Sequence, residues 1–268
     1  MDGPIDADGL ASKALRALLK QCAADPALSR DAHVQLVINT KKPMGTKNDY
    51  VPRIIPLQHS KLQKPASLRI LLVVKDPSTP YRTALKADSA TSELFADIIS
   101  VKRLKTKYRG AKLNELFRQF DMVVADHRVQ HLLPHILGSA FYRSNKKVPF
   151  VVQLSKQPQP ARAGKPDGVD PKYVRAQLRS ICRNTWYLPT PDNCLTVRIG
   201  VVGAHQPEEM LQNIEDVVQF LCDKTKRPQG GAIRGGIKSL FVKTSNSVSL
   251  PIYKASEKPV ESEDQPRL

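Results

Sequence analysis

The chain has 268 residues, 41% of them apolar and 25% charged, and a formal net charge of +17 at pH 7. That length and apolar fraction suit about two ordinary domains, each with its own core, and exclude disorder for most of the chain. No run approaches the ~20 apolar residues of a membrane span, and no basic segment followed by an apolar one opens the chain; the expectation is a soluble, intracellular protein with a polyanionic partner.

The charge belongs to the body of the chain. Residues 1–66 carry +4, residues 67–147 carry +8 and residues 148–254 carry +7, whereas residues 255–268 carry −2. The four cysteines, Cys22, Cys182, Cys194 and Cys222, form no C-x-x-C pair and no zinc-type spacing. They read as reduced thiols, mostly in the core, as in a cytosolic or nuclear compartment.

Leu10, Ala14, Leu15, Leu18, Leu19 and Cys22 share one stripe, which predicts an amphipathic helix. Two half-buried strands follow, His33 to Asn39 and Tyr50 to Leu57, joined by a polar connection that holds Lys41, Lys42 and Lys47. After Lys64-Pro65-Ala66-Ser67 the texture changes. Leu68 to Val74 is continuously apolar, as a strand covered on both faces of a parallel sheet must be. Helices are predicted near Thr91 to Ile99 and over Ala111 to Gln119, then a strand at Met122 to Ala125 and a helical pattern to about Tyr142. This alternation signals a small Rossmann-like layer that ends near Asn145-Lys146-Lys147.

Val148 to Leu154 is again β-type, and a proline-bearing basic loop runs from Ser155 to Asp170. Asp170 and Pro171 read as N-cap and first turn of a helix through about Arg183. Cys194 to Val202 alternates as a strand. Pro207 opens another helix, with Glu208 and Glu209 in its first turn and Met210, Leu211, Ile214, Val217, Val218 and Leu221 on its apolar face. Ile237 to Thr244 and Val248 to Tyr253 read as closing strands, and residues 255–268 as a disordered acidic tail.

Catalytic signatures are missing from this pattern. His127, His131 and His135 stand at i, i+4 and i+8, but Pro134 interrupts the helix that would align them as metal ligands. The Gly230–Gly236 stretch lacks the Lys-Ser/Thr of a phosphate-binding loop and reads as a flexible connector. No G-x-G-x-x-G follows Val74 and no G-x-S-x-G elbow is present. No cofactor, metal or catalytic residue is therefore expected, and an enzyme built on the Rossmann-like layer is the disfavoured alternative. Two basic groups carry the functional expectation instead. Lys41, Lys42, Lys47, Arg53, His59 and Lys61 surround the first strands, and Arg198 and Lys243 lie on later strands of the same layer. Lys102, Arg103, Lys105, Lys107, Arg109 and Lys112 form a second cluster, a possible RNA or protein contact or simply a solvated face.

Three blocks of sequence go beyond these generic patterns. They are Phe120 to Val129 with Leu132-Leu133-Pro134 and Lys146-Lys147-Val148-Pro149; Thr196 to Gly200 with Pro207-Glu208-Glu209 and Asn213-Ile214; and Ile237 to Thr244 with Ser247 to Ile252. In this order they resemble the ribosomal L1 family, the large-subunit stalk proteins and their nucleolar relatives. The resemblance covers about residues 10–254. It implies an α/β, two-domain fold: a discontinuous RNA-binding domain of residues 1–66 and 148–254, with a Rossmann-like domain of residues 67–147 inserted. It also places Lys243, Thr244, Ser245, Asn246 and Ser247 at the family's Thr-Met-Gly RNA-binding turn, with the Met-Gly absent, and Arg30 or a neighbour where the family has an aromatic residue. Both departures favour the nucleolar branch, and its compact fungal member is nearest in size.

The implied function is that of a non-enzymatic, RNA-binding ribosome assembly factor. It would sit in the nucleolus on pre-ribosomal RNA of early, 90S-type small-subunit precursors, monomeric among other assembly factors. The alternatives are a stalk protein of the mature large subunit and a factor of large-subunit precursors. A protein-binding scaffold with incidental charge is a further reading.

Overall fold

Strands that alternate and strands that are apolar throughout build two different sheets in this protein. The computed structural model describes residues 9–25, 28, 33–60, 65–143, 147–156 and 168–255. In chain order the elements are α1 (Leu10–Ala24), β1 (His33–Thr40), β2 (Arg53–Ile55), β3 (Ile70–Val74), α2 (Thr79–Ala87), β4 (Asp97–Ser100), α3 (Val101–Lys107), α4 (Ala111–Gln119), β5 (Met122–Asp126), α5 (Leu133–Tyr142), β6 (Phe150–Val152), α6 (Pro171–Arg183), β7 (Thr185–Tyr187), β8 (Cys194–Val201), α7 (Pro207–Cys222), β9 (Ile237–Lys243) and β10 (Leu250–Lys254).

The alternating strands pair antiparallel in the order β10-β9-β1-β8. Val34, Leu36 and Ile38 of β1 are fully buried, as are Ile199 of β8 and Leu240 and Val242 of β9. They meet the apolar stripes of α1 and α7, including Leu15, Leu18, Ile214 and Val217, all fully buried. Each such side chain contributes about 1.5 to 3 kcal/mol by leaving water. Close approach of α7 to the sheet depends on Gly200, where a Cβ would lie 2.8 Å from Met210 Cγ. Both helices cover the same face, so among the described residues the middle of the other face has no helix over it, and only its end at His33 and Arg198 meets the parallel layer.

The apolar strands pair parallel in the order β4-β3-β5-β6. Every residue of β3 and β5 is buried. Ile70, Leu72 and Val74 pack with α2 and α6, whereas Leu71 and Val73 pack with α3, α4 and α5. This is a sheet covered on both sides, which is why its sequence does not alternate. The proportions of helix, antiparallel sheet and parallel sheet make the fold α/β.

A two-stranded ribbon, β2 with β7, joins the layers. Ile55 and Tyr187 enter the core of the antiparallel layer, and Ile54 and Trp186 pack against that of the parallel layer. The Trp186 ring meets Phe150 edge-on at 5.4 Å. A second contact is made by Tyr50, whose ring lies 5.0 Å from that of Tyr142 on α5.

Several expectations need correction. The boundary placed between residues 147 and 148 falls inside the parallel layer, because β6 pairs with β5 and Val174, Leu178 and Ile181 of α6 complete its core. The helix expected near Thr91 to Ile99 is a turn followed by strand β4, held by pairing of Leu71 with Asp97. α2 and α3 were not anticipated, although Pro80 and the N-cap Ser100, whose Oγ accepts from Arg103 N at 3.3 Å, mark their starts. The Tyr50 to Leu57 strand shrinks to β2 and pairs with β7, not with β1.

The Gly230–Gly236 stretch is not a flexible connector in its first half. Gly231 N and Ile233 N donate to Phe220 O and Leu221 O at 3.0 Å each, closing the loop onto the end of α7. A Cβ on Gly230 would meet Phe220 O at 2.5 Å. Cys22 and Cys182 are buried thiols, but Cys194 and Cys222 are exposed. The acidic tail from residue 256 onward, Arg30 and Lys61 lie outside the described residues.

Candidate nucleic-acid interface

The uncovered face of the antiparallel sheet is built by the odd-numbered positions of β1. Register places Gln35 between Arg198 and Lys243, Val37 between Thr196 and Phe241, and Asn39 between Cys194 and Ser239. Pro251 of β10 extends the middle row beside Phe241. Val37 and Phe241 are half-buried, and Thr196, Cys194 and Pro251 are exposed. Asn39 Nδ2 donates to Ser239 Oγ at 3.1 Å, which fixes one polar row. The result is a platform with an aromatic ring near its centre, amide and hydroxyl groups along it, and cations toward its ends.

One end is formed by Arg198, Lys243 and the turn between β9 and β10. Thr244 N donates to Ser247 Oγ at 2.8 Å, and Ser247 N donates to Thr244 Oγ1 at 3.2 Å. Thr244 is fully buried. Thr244 and Ser247 thus shape the turn, and the expectation that Thr244 meets a ligand is corrected. Ser245 and Asn246 stand exposed at the tip, and Gln35 Nε2 reaches Ser245 Oγ at 3.5 Å. Arg198 and His33 line a small cavity of about 60 Å³ with Lys147, Asn184, Thr185 and Trp186. Burial, with the charge of Arg198 added, pushes the His33 imidazole down to about 4. His33 is therefore neutral at pH 7.

The other end carries Lys41 and Lys42, both exposed, directly after β1. Their loop is held by Lys41 N to Gly236 O at 3.0 Å, Met44 N to Asp192 O at 3.1 Å and Thr46 Oγ1 to Thr190 O at 2.8 Å. Six residues of extended chain separate Gln35 from Lys41, so the cationic ends stand about 20 Å apart.

Other expected residues lie elsewhere. Lys47 and Arg53 sit off the platform, around a separate cavity of about 270 Å³. His59 is on the helical side of the sheet, with Nε2 against Gln212 Oε1 and Nδ1 3.6 Å from Glu209. Its backbone N–H donates to Asn213 Oδ1 at 3.2 Å, and its carbonyl accepts from Asn213 Nδ2 at 3.1 Å. Its role is to tie the loop to α7, and it is not part of the platform. Lys102, Arg103, Lys105 and Lys107 are exposed on α3, with Arg109 and Lys112 following toward α4. Among the described residues none of these six forms an ion pair.

Sequence reading missed Val37, Thr196, Phe241 and Cys194 as members of the uncovered face. Their alternation with Leu36, Val197 and Leu240 was the available signal. At the carboxyl edge of the parallel sheet, fully buried Asp126 accepts from Arg128 Nη2 at 2.5 Å, and Arg128 Nη2 also donates to Tyr81 OH at 3.1 Å. His127, His131 and His135 share no helix: a 3₁₀ turn at Gln130–Leu132 precedes α5, and Pro134 lies in its first turn. Among the described residues no three His, Cys, Asp or Glu side chains converge as metal ligands would.

A family model described as ribosomal protein L1p/L10e matches residues 18–248. The chain is 56% identical over 249 residues to the "Ribosome biogenesis protein UTP30" of Saccharomyces cerevisiae, covering 93% of this chain and 91% of that one. It is 28% identical over 221 residues to a "Putative ribosome biogenesis protein" of Schizosaccharomyces pombe, covering 82% of this chain and 54% of that one. A mouse "Ribosomal L1 domain-containing protein 1" is 31% identical over 209 residues, 74% of this chain and 40% of its own.

Proposed function

The chain belongs to the ribosomal protein L1p/L10e family, and on that premise we propose that it is a non-enzymatic ribosome biogenesis factor that binds pre-ribosomal RNA. The reading is supported by its likeness, over nearly its whole length, to a protein named for ribosome biogenesis. The observation that carries it is the uncovered antiparallel face. A sheet face with Phe241 on it takes unpaired bases by stacking, and its amide and hydroxyl groups address ribose and base edges. Lys243 at one end, with the half-buried Arg198 behind it, and Lys41 and Lys42 at the other neutralise phosphates of a strand or loop lying across the sheet. Ser245 and Asn246 reach the backbone from the turn.

The site works in the nucleolus, in early 90S-type small-subunit precursors, with the protein as a monomer among other assembly factors. The two layers act as two domains, one discontinuous and the other inserted between Pro65 and about Arg183. The exposed cations from Lys102 to Lys112 give the inserted domain a second contact, to RNA or to a protein neighbour.

Crosslinking in cells with mapping of the bound RNA tests this. Crosslinks at immature or spacer rRNA, centred on Phe241 and the β9–β10 turn, are expected. Crosslinks confined to the mature stalk rRNA would instead assign the chain to the finished large subunit, and crosslinks to large-subunit precursors would move it to that pathway. An absence of RNA crosslinks sinks the RNA-binding reading.

A further inference from the structure

The cavity that holds Lys47 and Arg53 is a concave site outside the platform. Its lining includes Lys47, Arg53, Tyr187, Pro189, Arg227 and Arg234. At about 270 Å³ it has room for far more than a water, whose share of the liquid is about 30 Å³. Its rim brings four cations from three separate segments together. Arg53 comes from β2, Lys47 from the loop before it, and Arg227 and Arg234 from either side of the Gly230–Ile233 segment that closes onto α7.

Little inside the protein neutralises this group. Arg53 Nη2 meets Asp49 Oδ2 at 2.6 Å, but its Nε is buried with no hydrogen-bond partner among the described residues. Arg227 Nε donates to Gly231 O at 3.1 Å, which orients its guanidinium without cancelling its charge. Lys47, Arg227 and Arg234 make no ion pair among the described residues. Tyr187, 3% exposed, and Pro189 form a buried apolar floor, and Tyr187 is held by its OH donating to Gln229 O at 2.8 Å.

The cavity lies beside the loop that leaves one end of the platform. The stem of Lys42 packs against Gly235, next to Arg234, and Arg234 Nη1 lies over Gly45 in the loop that starts at Lys41. A strand leaving the sheet between Lys41 and Lys42 meets this rim next. Guanidinium forks match phosphate oxygens in pairs, and ring faces take a base.

We propose that this cavity is a nucleotide subsite: it receives one nucleotide of the bound RNA, its phosphate between Arg53, Arg227 and Arg234 and its base against Tyr187, Pro189 and Pro228. This rests on the RNA-binding reading above and adds a site to it that includes Arg227, Arg234 and Tyr187. Among the described residues Asp49 is the one carboxylate that contacts the rim cations, and it meets Arg53 alone.

The test uses the full chain and a single-stranded oligouridine of about ten residues carrying 4-thiouridine, within the site sizes of such platforms. Arg227 and Arg234 are exposed, so the double variant R227A/R234A keeps the fold, with thermal melting as the control. Its RNA affinity falls about tenfold and the slope of log K against log salt falls by about 1.4, at about 0.7 per contact for single strands. The photo-crosslink at Tyr187 is lost in this variant and kept in Phe241→Ala. Uridine monophosphate competes for the Tyr187 crosslink better than inorganic phosphate does.

An unchanged slope and crosslink pattern in R227A/R234A, with binding weakened by Phe241→Ala, overturns the subsite and leaves the platform intact. Equal competition by inorganic phosphate and by the monophosphate overturns the place given to the base. Failure of the parent chain to bind the oligonucleotide removes both the subsite and the platform.

Discussion

The antiparallel and parallel sheets both belong to strongly basic parts of the chain, yet they present that charge differently. The antiparallel sheet has helices on one face only, so Gln35, Val37, Asn39, Thr196, Phe241 and Lys243 share the other in fixed register. The parallel sheet is covered on both faces, so its cations lie outside it, in loops and on the outer surfaces of helices such as α3. Register between strands aligns side chains that are distant in sequence within a few ångströms of one another, whereas a helix surface presents long, independent side chains. The lesson is that equal charge does not make equal sites; a ligand needs groups whose spacing is held for it.

The largest effect expected in this comparison is on the parallel layer's stability. Arg128→Ala leaves Asp126 buried without its main partner and lowers unfolding free energy by about 3 to 5 kcal/mol, read by chemical denaturation. The platform residues of the antiparallel layer are unaffected in the folded fraction, so a matching loss of intrinsic RNA affinity would mean that the layers do not act separately.

Next comes a matched exchange of cations. K41A/K42A/K243A reduces the slope of log K against log salt by about 2, and the equal-sized K102A/K105A/K107A changes it by less than about 0.5. Filter binding at four salt concentrations distinguishes them. Equal slopes would place the inserted layer on the RNA as fully as the platform.

Phe241→Ala costs about 1 to 2 kcal/mol of RNA affinity by loss of stacking, with the slope preserved. The side chain is only half-buried, on the face opposite the core, so the melting temperature should move little. A large fall in melting temperature with unchanged affinity would make Phe241 a packing residue.

The smallest effect is that of His33 at the junction between the layers. Its pKa is about 4 in the folded protein and about 6.5 in the unfolded chain. Between those values the unfolded chain binds the proton and the folded one does not, so stability falls as pH drops from about 6.5 to 4 and levels below that. The change is on the order of 1 kcal/mol, since the ring is partly accessible to solvent. His33→Gln should flatten that part of the stability profile; an identical profile in the variant would assign the slope to carboxylates instead.

Much of the architecture was legible in local sequence. α6 and α7 start at the expected Asp170-Pro171 and Pro207, because a capping carboxylate or a first-turn proline acts within a few residues. β3 and β5 announced their two-sided burial through unbroken apolar runs. β2, β4 and β7 were obscure or misread, each being only three or four residues long and held by partners far along the chain, as Arg53 is by Tyr187. The candidate site divided in the same way. Lys41, Lys42, Arg198 and Lys243, expected from type and position, lie toward the ends of the uncovered face, but Thr244 is a buried turn former and His59 a tie to α7.

Composition and local pattern thus indicated a basic α/β protein, because charge, periodicity and caps are properties of neighbouring residues, and three blocks in order carried the resemblance to the ribosomal L1 family. The uncovered face, the grouping of Lys47, Arg53, Arg227 and Arg234 around one cavity, and the extension of the parallel layer through α6 were settled by packing. Each depends on contacts between segments more than 100 residues apart or on which side of a sheet the helices lie, and neither quantity is written in any local stretch of sequence.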